Sequence, residues 1–239
     1  MNQYLKEFDK VLMGFKNRHD LSQVMADYLS LHLQAWSRDP FPELNDYCQK
    51  RYTLEERQQM GKMIRLFTLA VQKGLKHHSW YDGIGTYYEE FASKWKKSGL
   101  GQFFTPTAIV DVMSQVMQTE KQRALISEPA CGSGRGILSF AAHNPGCYFF
   151  AQDIDPICAK MTALNMLHHG VEGVVCCMDT LKMEFQHSYT VNLELAYQGP
   201  PTIIYTNKEA VSRQHWHVFE LRSEFANRVE EPQEIYAAA

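Results

Sequence analysis

A glycine-rich turn between a short apolar run and a helical segment limits the possible folds of this chain more than any other feature. Residues 124–127 form the run, and residues 128–136 form the turn. Two further β-rich segments, residues 148–152 and 174–177, follow, and a second helical pattern separates them. Such alternation of strand and helix predicts a parallel sheet covered by helices on both faces. The expected fold class is α/β, with an abbreviated parallel sheet.

The first hundred residues show helical periodicity, which is interrupted at residues 40–42. Apolar side chains recur at three- and four-residue intervals, as Leu5, Phe8 and Leu12 do. Thr53 and Glu56 have the spacing of a capping box at the start of a later helix. We therefore expect a helical domain over residues 1–100 and the α/β domain over residues 101–239.

Composition excludes several classes of protein. Hydrophobic residues make up 45% of the chain and charged residues 21%, as in an ordinary folded protein. The net charge of −3 gives no basic excess, so any role on nucleic acid would need a local patch or a basic partner. No apolar run approaches the roughly 18 residues of a membrane span. The six cysteines form no CxxC pair, and we expect no metal site and a cytoplasmic protein.

The turn has the composition of a ligand-binding loop. Glycines at the carboxyl end of a strand let a ligand approach the backbone and the first amides of the next helix. Asp153 ends the second strand, where its carboxylate can accept both hydroxyl protons of a ribose. A nicotinamide dinucleotide would require glycine in place of Ile137 and would give no role to Glu128. An acidic side chain at Glu128 suits a ligand that carries an ammonium group.

Four segments, in this order, resemble the cofactor motifs of the N-6 adenine DNA methylases. They are GQFFTP (101–106), EPACGSGRGIL (128–138), AQDIDPICAKMTALNM (151–166) and CMDTL (177–181). The resemblance is greatest to the modification subunits of type I restriction-modification systems, and it covers roughly residues 40–185. It implies a Rossmann-like methyltransferase fold and S-adenosylmethionine as the cofactor. It also implies DNA as a partner, reached through a specificity or target-recognition subunit, and no membrane association.

The resemblance assigns a role to each motif. Phe104, Thr105 and Pro106 would lie against the methionine portion of the cofactor. Glu128 and the loop after it would hold the amino and carboxylate groups, Asp153 the ribose, Ile154 the adenine ring and Asp179 its exocyclic amine. Cys131 is equally well explained as a small residue filling a tight turn. The cofactor-binding residues expected are Phe104, Thr105, Pro106, Glu128, Ala130, Cys131, Gly132, Ser133, Gly134, Asp153, Ile154, Asp179 and Thr180.

The catalytic motif of that family, Asn-Pro-Pro followed by an aromatic residue, has no counterpart in this sequence. Residues 199–202 (GPPT) keep the prolines but lose the asparagine and the aromatic residue. In the alternative that we favour, residues 202–206 form the fourth strand, residues 191–195 form a hairpin with it, and Asn207 takes the catalytic position. The expected strand order is then 3-2-1-4.

Two interpretations of the function remain open beside that of an adenine-specific DNA methyltransferase. One is a catalytically silent cofactor-binding module that regulates or assembles with a partner. The other is methylation of a different substrate. We also expect that the residues after Asn207 are too few for three further strands and a domain that recognises DNA.

Overall fold

A computed structural model describes residues 2–41, 43–95, 104–195 and 198–230 of the chain. Its helices are α1 (Gln3–Met13), α2 (Leu21–Ala35), α3 (Leu44–Arg51), α4 (Leu54–Leu75), α5 (Gly83–Trp95), α6 (Thr107–Val116), α7 (Arg135–His143), α8 (Pro156–His169) and α9 (Glu209–Glu230). Its strands are β1 (Leu125–Glu128), β2 (Tyr148–Asp153), β3 (Glu172–Asp179), β4 (Glu184–Val191) and β5 (Ile203–Thr206). The α/β class is confirmed, and β1 to β3 with α7 and α8 form the Rossmann-like part.

Local signals fix where several of these helices begin. The capping box predicted at Thr53 is present, with the Thr53 side chain accepting from the Glu56 amide and the Glu56 side chain accepting in return. Asp155 caps α8 by accepting from the Ile157 amide at 2.7 Å, and Pro156 occupies the first turn. That cap fixes the direction in which the chain leaves β2.

The predicted strand order of 3-2-1-4 is wrong, because the sheet runs β1-β2-β3-β4-β5. The strands β1, β2 and β3 pair in parallel as expected, but β3/β4 and β4/β5 are antiparallel, so the sheet is mixed. A tight turn over residues 180–183 joins β3 directly to β4. Asp179 closes this turn by accepting from the amides of Leu181 and Lys182, both at 3.1 Å. The strand that ends at Thr206 therefore lies at the edge of the sheet opposite β1.

The predicted hairpin exists, but its first strand lies earlier than expected. It is formed by β4 and β5, with Ser188 opposite Thr206 and Val191 opposite Ile203. The sequence suggested residues 191–195 for this strand. Residues 184–191 are mostly polar, so a search for apolar runs does not identify them as a strand.

Helices cover both faces of the sheet. On one face, Phe149, Ala151 and Val175 belong to a buried core that continues into α1, α2 and α4 of the helical region. On the other face, Tyr148 and Val174 lie beneath Phe219 of α9. Since the larger core spans the expected boundary near residue 100, the division into two domains stays a prediction. None of the helices among the described residues is long and apolar enough to cross a bilayer.

Candidate functional site

A cavity of about 1180 Å³ opens at the carboxyl ends of β1 and β2. This is the edge at which open α/β sheets bind ligands. The predicted site residues that line the cavity are Phe104, Thr105, Glu128, Ala130, Cys131, Gly132, Ser133, Asp153 and Ile154. Segments far apart in the sequence thus meet at one site, and its volume is ample for a small-molecule ligand.

The loop after β1, residues 129–134, needs glycine at two positions. Gly132 and Gly134 have φ of +57° and +82°, in the left-handed region that side chains disfavour. A Cβ at Gly132 would lie 2.9 Å from the ring of Phe104, and one at Gly134 would lie 3.1 Å from Thr162. The loop then enters α7 at Arg135, where the first amides of a helix have no intrahelical acceptor. Its backbone is therefore close to whatever fills the cavity.

Asp153 joins this loop to the end of β2. Its carboxylate accepts from the Gly132 amide at 2.8 Å and from the Asp155 amide at 2.9 Å, one bond to each oxygen. A carboxylate oxygen has more than one acceptor site, so these bonds leave capacity for ligand hydroxyls. Burial raises the pKa of Asp153 above its usual value, and the amide bonds oppose that rise.

Glu128 places a second carboxylate in the same cavity. Its Oε1 atom accepts from the Ala130 amide at 3.3 Å. Burial is the main cause that raises the pKa of Glu128, and the negative charge of Asp153 adds to it. A positively charged ligand would reduce the repulsion between these two half-buried carboxylates. The electrostatics of the cavity therefore favour a cation.

Cys131 and Ser133 line the cavity, but their side chains already have partners within the protein. The Cys131 thiol is buried and accepts from the Thr162 hydroxyl at 3.3 Å, and burial raises its pKa so that it stays protonated. The Ser133 hydroxyl donates to Asp82 at 2.7 Å. These contacts fit the interpretation of Cys131 as a small residue in a tight turn.

Pro106, Gly134, Asp179 and Thr180 are not among the described residues that line the cavity. Asp179 lies at the end of β3. Its carboxylate accepts hydrogen bonds from backbone amides of the following turn, chiefly that of Lys182, and these bonds lower its pKa. The Thr180 hydroxyl donates to the Pro129 carbonyl at 3.0 Å, which braces the loop from β3. Ile154 keeps 61% of its surface exposed, as an apolar platform at the cavity mouth. The cofactor roles of these residues stay predictions.

The placement of Asn207 beside β1 is wrong. Asn207 is exposed and directly follows Thr206, the last residue of β5. Thr206 lies opposite Ser188 of β4, and the register across β3 places both at the level of Gln152 in β2. Three strand spacings separate β5 from β2, which is about 14 Å at the usual spacing of ~4.8 Å. The other candidate for the catalytic motif, residues 199–202, is not beside β1 either, because these residues precede β5 and lie at the opposite end of the sheet. Neither position reaches the cavity.

Sequence reasoning missed three charged residues that support the site, namely Asp82, Glu89 and Arg135. Arg135 belongs to the glycine-rich motif, yet its guanidinium is buried and pairs with Asp82 at 2.9 Å and with Glu89 at 3.1 Å. The available signal was the position of Arg135 directly after the glycine turn, which marks a charged residue near the site but not its partners.

Comparison with known proteins places the chain in a family. The family model described as N-6 DNA methylase matches residues 79–224, more than half of the chain. The type I restriction enzyme MjaVII methylase subunit of Methanocaldococcus jannaschii is 30% identical over 100 residues, 39% of this chain and 17% of that protein. The HindI methylase subunit of Haemophilus influenzae is 28% identical over 101 residues, 38% of this chain and 22% of that protein.

A solved structure is also similar over part of its length. It is the type I restriction-modification system methyltransferase subunit from Streptococcus thermophilus, with 22% identity and a TM-score of 0.34. The similarity covers 49% of this chain and 25% of that one. All of these matches span a quarter or less of the length of the related proteins.

Proposed function

The chain belongs to the N-6 DNA methylase family, and we propose that its cavity binds S-adenosylmethionine as the cofactor site of an adenine-specific DNA methyltransferase. The observation that supports this most is the pair of carboxylates, Glu128 and Asp153, beside the left-handed turn at Gly132. S-adenosylmethionine carries an ammonium group, a sulfonium and a ribose diol. These are the groups that such carboxylates attract or bind.

The residues present fit this cofactor, which supplies an electrophilic methyl group on a positively charged sulfur. In this proposal Glu128 accepts from the ammonium group, and the carboxylate of the cofactor lies at the end of the loop, where the first amides of α7 have no intrahelical acceptor. Asp153 accepts from the ribose hydroxyls, and Ile154 packs on the adenine ring. Phe104 forms the wall beside the methionine portion. Asp179, at the end of β3, remains a proposal for the adenine amine, and Thr180 directly after it remains a proposal for contact with the cofactor.

We expect S-adenosylmethionine and S-adenosylhomocysteine to bind with micromolar dissociation constants, and NAD not to bind measurably. The dinucleotide fingerprint is broken at Ile137, whereas both carboxylates face one cavity. Titration calorimetry with the three ligands tests this. Binding of NAD without a response to S-adenosylmethionine would reverse the assignment.

Cofactor affinity should fall as the pH is lowered. Both Glu128 and Asp153 must be ionised to attract the ammonium group and accept from hydroxyls, and the pKa of each is raised by burial. Protonation therefore weakens binding, starting above the ordinary range of about 3.9–4.3. Calorimetry between pH 5 and pH 8 tests this, with Glu128→Gln as the comparison. An equal pH dependence in that variant would exclude Glu128 as a source of the effect.

The substrate and partners follow from the same proposal. The net charge of −3 gives the chain little attraction for phosphate by itself. We therefore assign DNA recognition to a partner subunit that supplies specificity, and a cytoplasmic location accompanies that role.

A catalytically silent cofactor-binding module is the second candidate. The observation that favours it is the distance of Asn207 from the cavity, together with the missing Asn-Pro-Pro-aromatic motif. Cofactor binding is common to both candidates, and methyl transfer separates them.

A further inference from the structure

We propose that Glu89 and Arg135 are positioning residues that hold one wall of the cavity in place, so that helix α5 of the helical region sets the affinity for the cofactor. The wall segment is residues 104–105. This inference rests on the proposed function, because the ligand that it concerns is S-adenosylmethionine.

Glu89 and Arg135 hold the backbone of the wall segment at two successive points. Glu89 Oε1 accepts from the Phe104 amide at 3.0 Å. Arg135 donates to the Thr105 carbonyl at 2.9 Å through Nη1, and to Glu89 Oε2 at 3.1 Å through Nη2. Both bonds to the wall come from charged groups, which makes them stronger than bonds between neutral groups.

Asp82 fixes the orientation of Arg135. The Asp82 carboxylate is 3% exposed and accepts from Arg135 Nε at 2.9 Å and from the Ser133 hydroxyl at 2.7 Å. It also accepts from the Gly85 amide and from Asn165 Nδ2, both at 2.8 Å. The guanidinium thus donates through Nε to Asp82, through Nη1 to the wall segment and through Nη2 to Glu89. Lysine, with a single ammonium, has no equivalent geometry.

The wall segment is in direct contact with the loop that forms the rest of the site. The Phe104 ring packs on Gly132 closely enough to leave no room for a Cβ there. The Arg135 guanidinium lies 5.7 Å from the centroid of the same ring. Gly132 in turn donates to Asp153. Without the contacts from α5, the wall segment would be less ordered in the free protein. Ordering it when the ligand binds would then cost conformational entropy and reduce affinity.

The variant Glu89→Ala tests the inference directly. The Glu89 side chain is 33% exposed, so its removal should leave the fold intact. We expect its dissociation constant for S-adenosylmethionine to rise roughly tenfold, the effect of losing one charged hydrogen bond. Hydrogen exchange at the Phe104 amide should become faster in the free protein. The variant Glu89→Gln, which retains an acceptor for that amide, should recover part of both effects.

Two further variants complete the design. Glu7→Ala removes an exposed glutamate of α1 and should leave affinity and exchange unchanged. Arg135→Lys keeps the positive charge but cannot donate to Asp82, Thr105 and Glu89 in the same geometry. We expect it to bind the cofactor more weakly and to remain folded, as thermal unfolding would show. Absence of binding in the wild type would refute the proposed function and this inference with it. Normal binding in the wild type and equal affinity in Glu89→Ala and Arg135→Lys would overturn the inference alone.

Discussion

Replacement of Asp153 by alanine is expected to weaken S-adenosylmethionine binding by roughly 10- to 100-fold in a chain that remains folded. The carboxylate has two functions in the proposal. It would accept from the ribose hydroxyls, and it already accepts from the amides of Gly132 and Asp155. Its removal therefore costs a ligand contact and loosens the loop at the same time. Calorimetry measures the affinity, and circular dichroism on heating checks the fold.

A matched control separates these effects from the general loss of an aspartate. Asp20 caps α2 by accepting from the Gln23 amide at 2.9 Å, so Asp20→Ala also removes a carboxylate that binds a backbone amide. We expect Asp20→Ala to lower thermal stability, since a lost helix cap costs about 1 kcal/mol, and to bind the cofactor normally. Normal binding by Asp153→Ala would exclude Asp153 from the site.

The features that the sequence predicted correctly depend on neighbouring residues. The glycine turn and the capping box at Thr53 each involve contacts within a few positions. The parallel pairing of β1, β2 and β3 follows from the strand–helix alternation. The cavity also follows from it, because the carboxyl ends of adjacent parallel strands meet at one edge.

The features that the sequence did not predict depend on contacts between residues far apart in the chain. Whether the chain crosses over or turns back after β3 is decided by the turn that Asp179 closes and by the partners available to β4. The support of Arg135 by Glu89 joins residues 46 positions apart, and the contact of Ser133 with Asp82 joins residues 51 apart. No local periodicity reports such pairs. The position of Arg135 directly after the glycine turn is a hint, but its burial and its partners cannot be read from the sequence.

The chain alone is expected not to methylate adenine in duplex DNA above background. Asn207 follows β5, which lies three strand spacings from β2, and residues 199–202 lie at the other end of the sheet. Neither can present an amide carbonyl and an aromatic ring to an adenine at the cavity. Extruding the base costs a few kcal/mol, and the stacking that would offset it is missing. Incorporation of tritiated methyl groups into unmethylated genomic DNA measures the activity.

The variant Asn207→Ala decides what any observed activity would mean. If the chain incorporated label and Asn207→Ala did not, Asn207 would be catalytic, and β5 would have to occupy another position when DNA binds. If both incorporated label equally, the acceptors for the amine of the target adenine would lie elsewhere in the chain. Absence of incorporation in a chain that binds S-adenosylmethionine supports the silent-module candidate for the chain by itself. Activity restored by a second subunit would then assign catalysis to the assembly, with this chain providing the cofactor site.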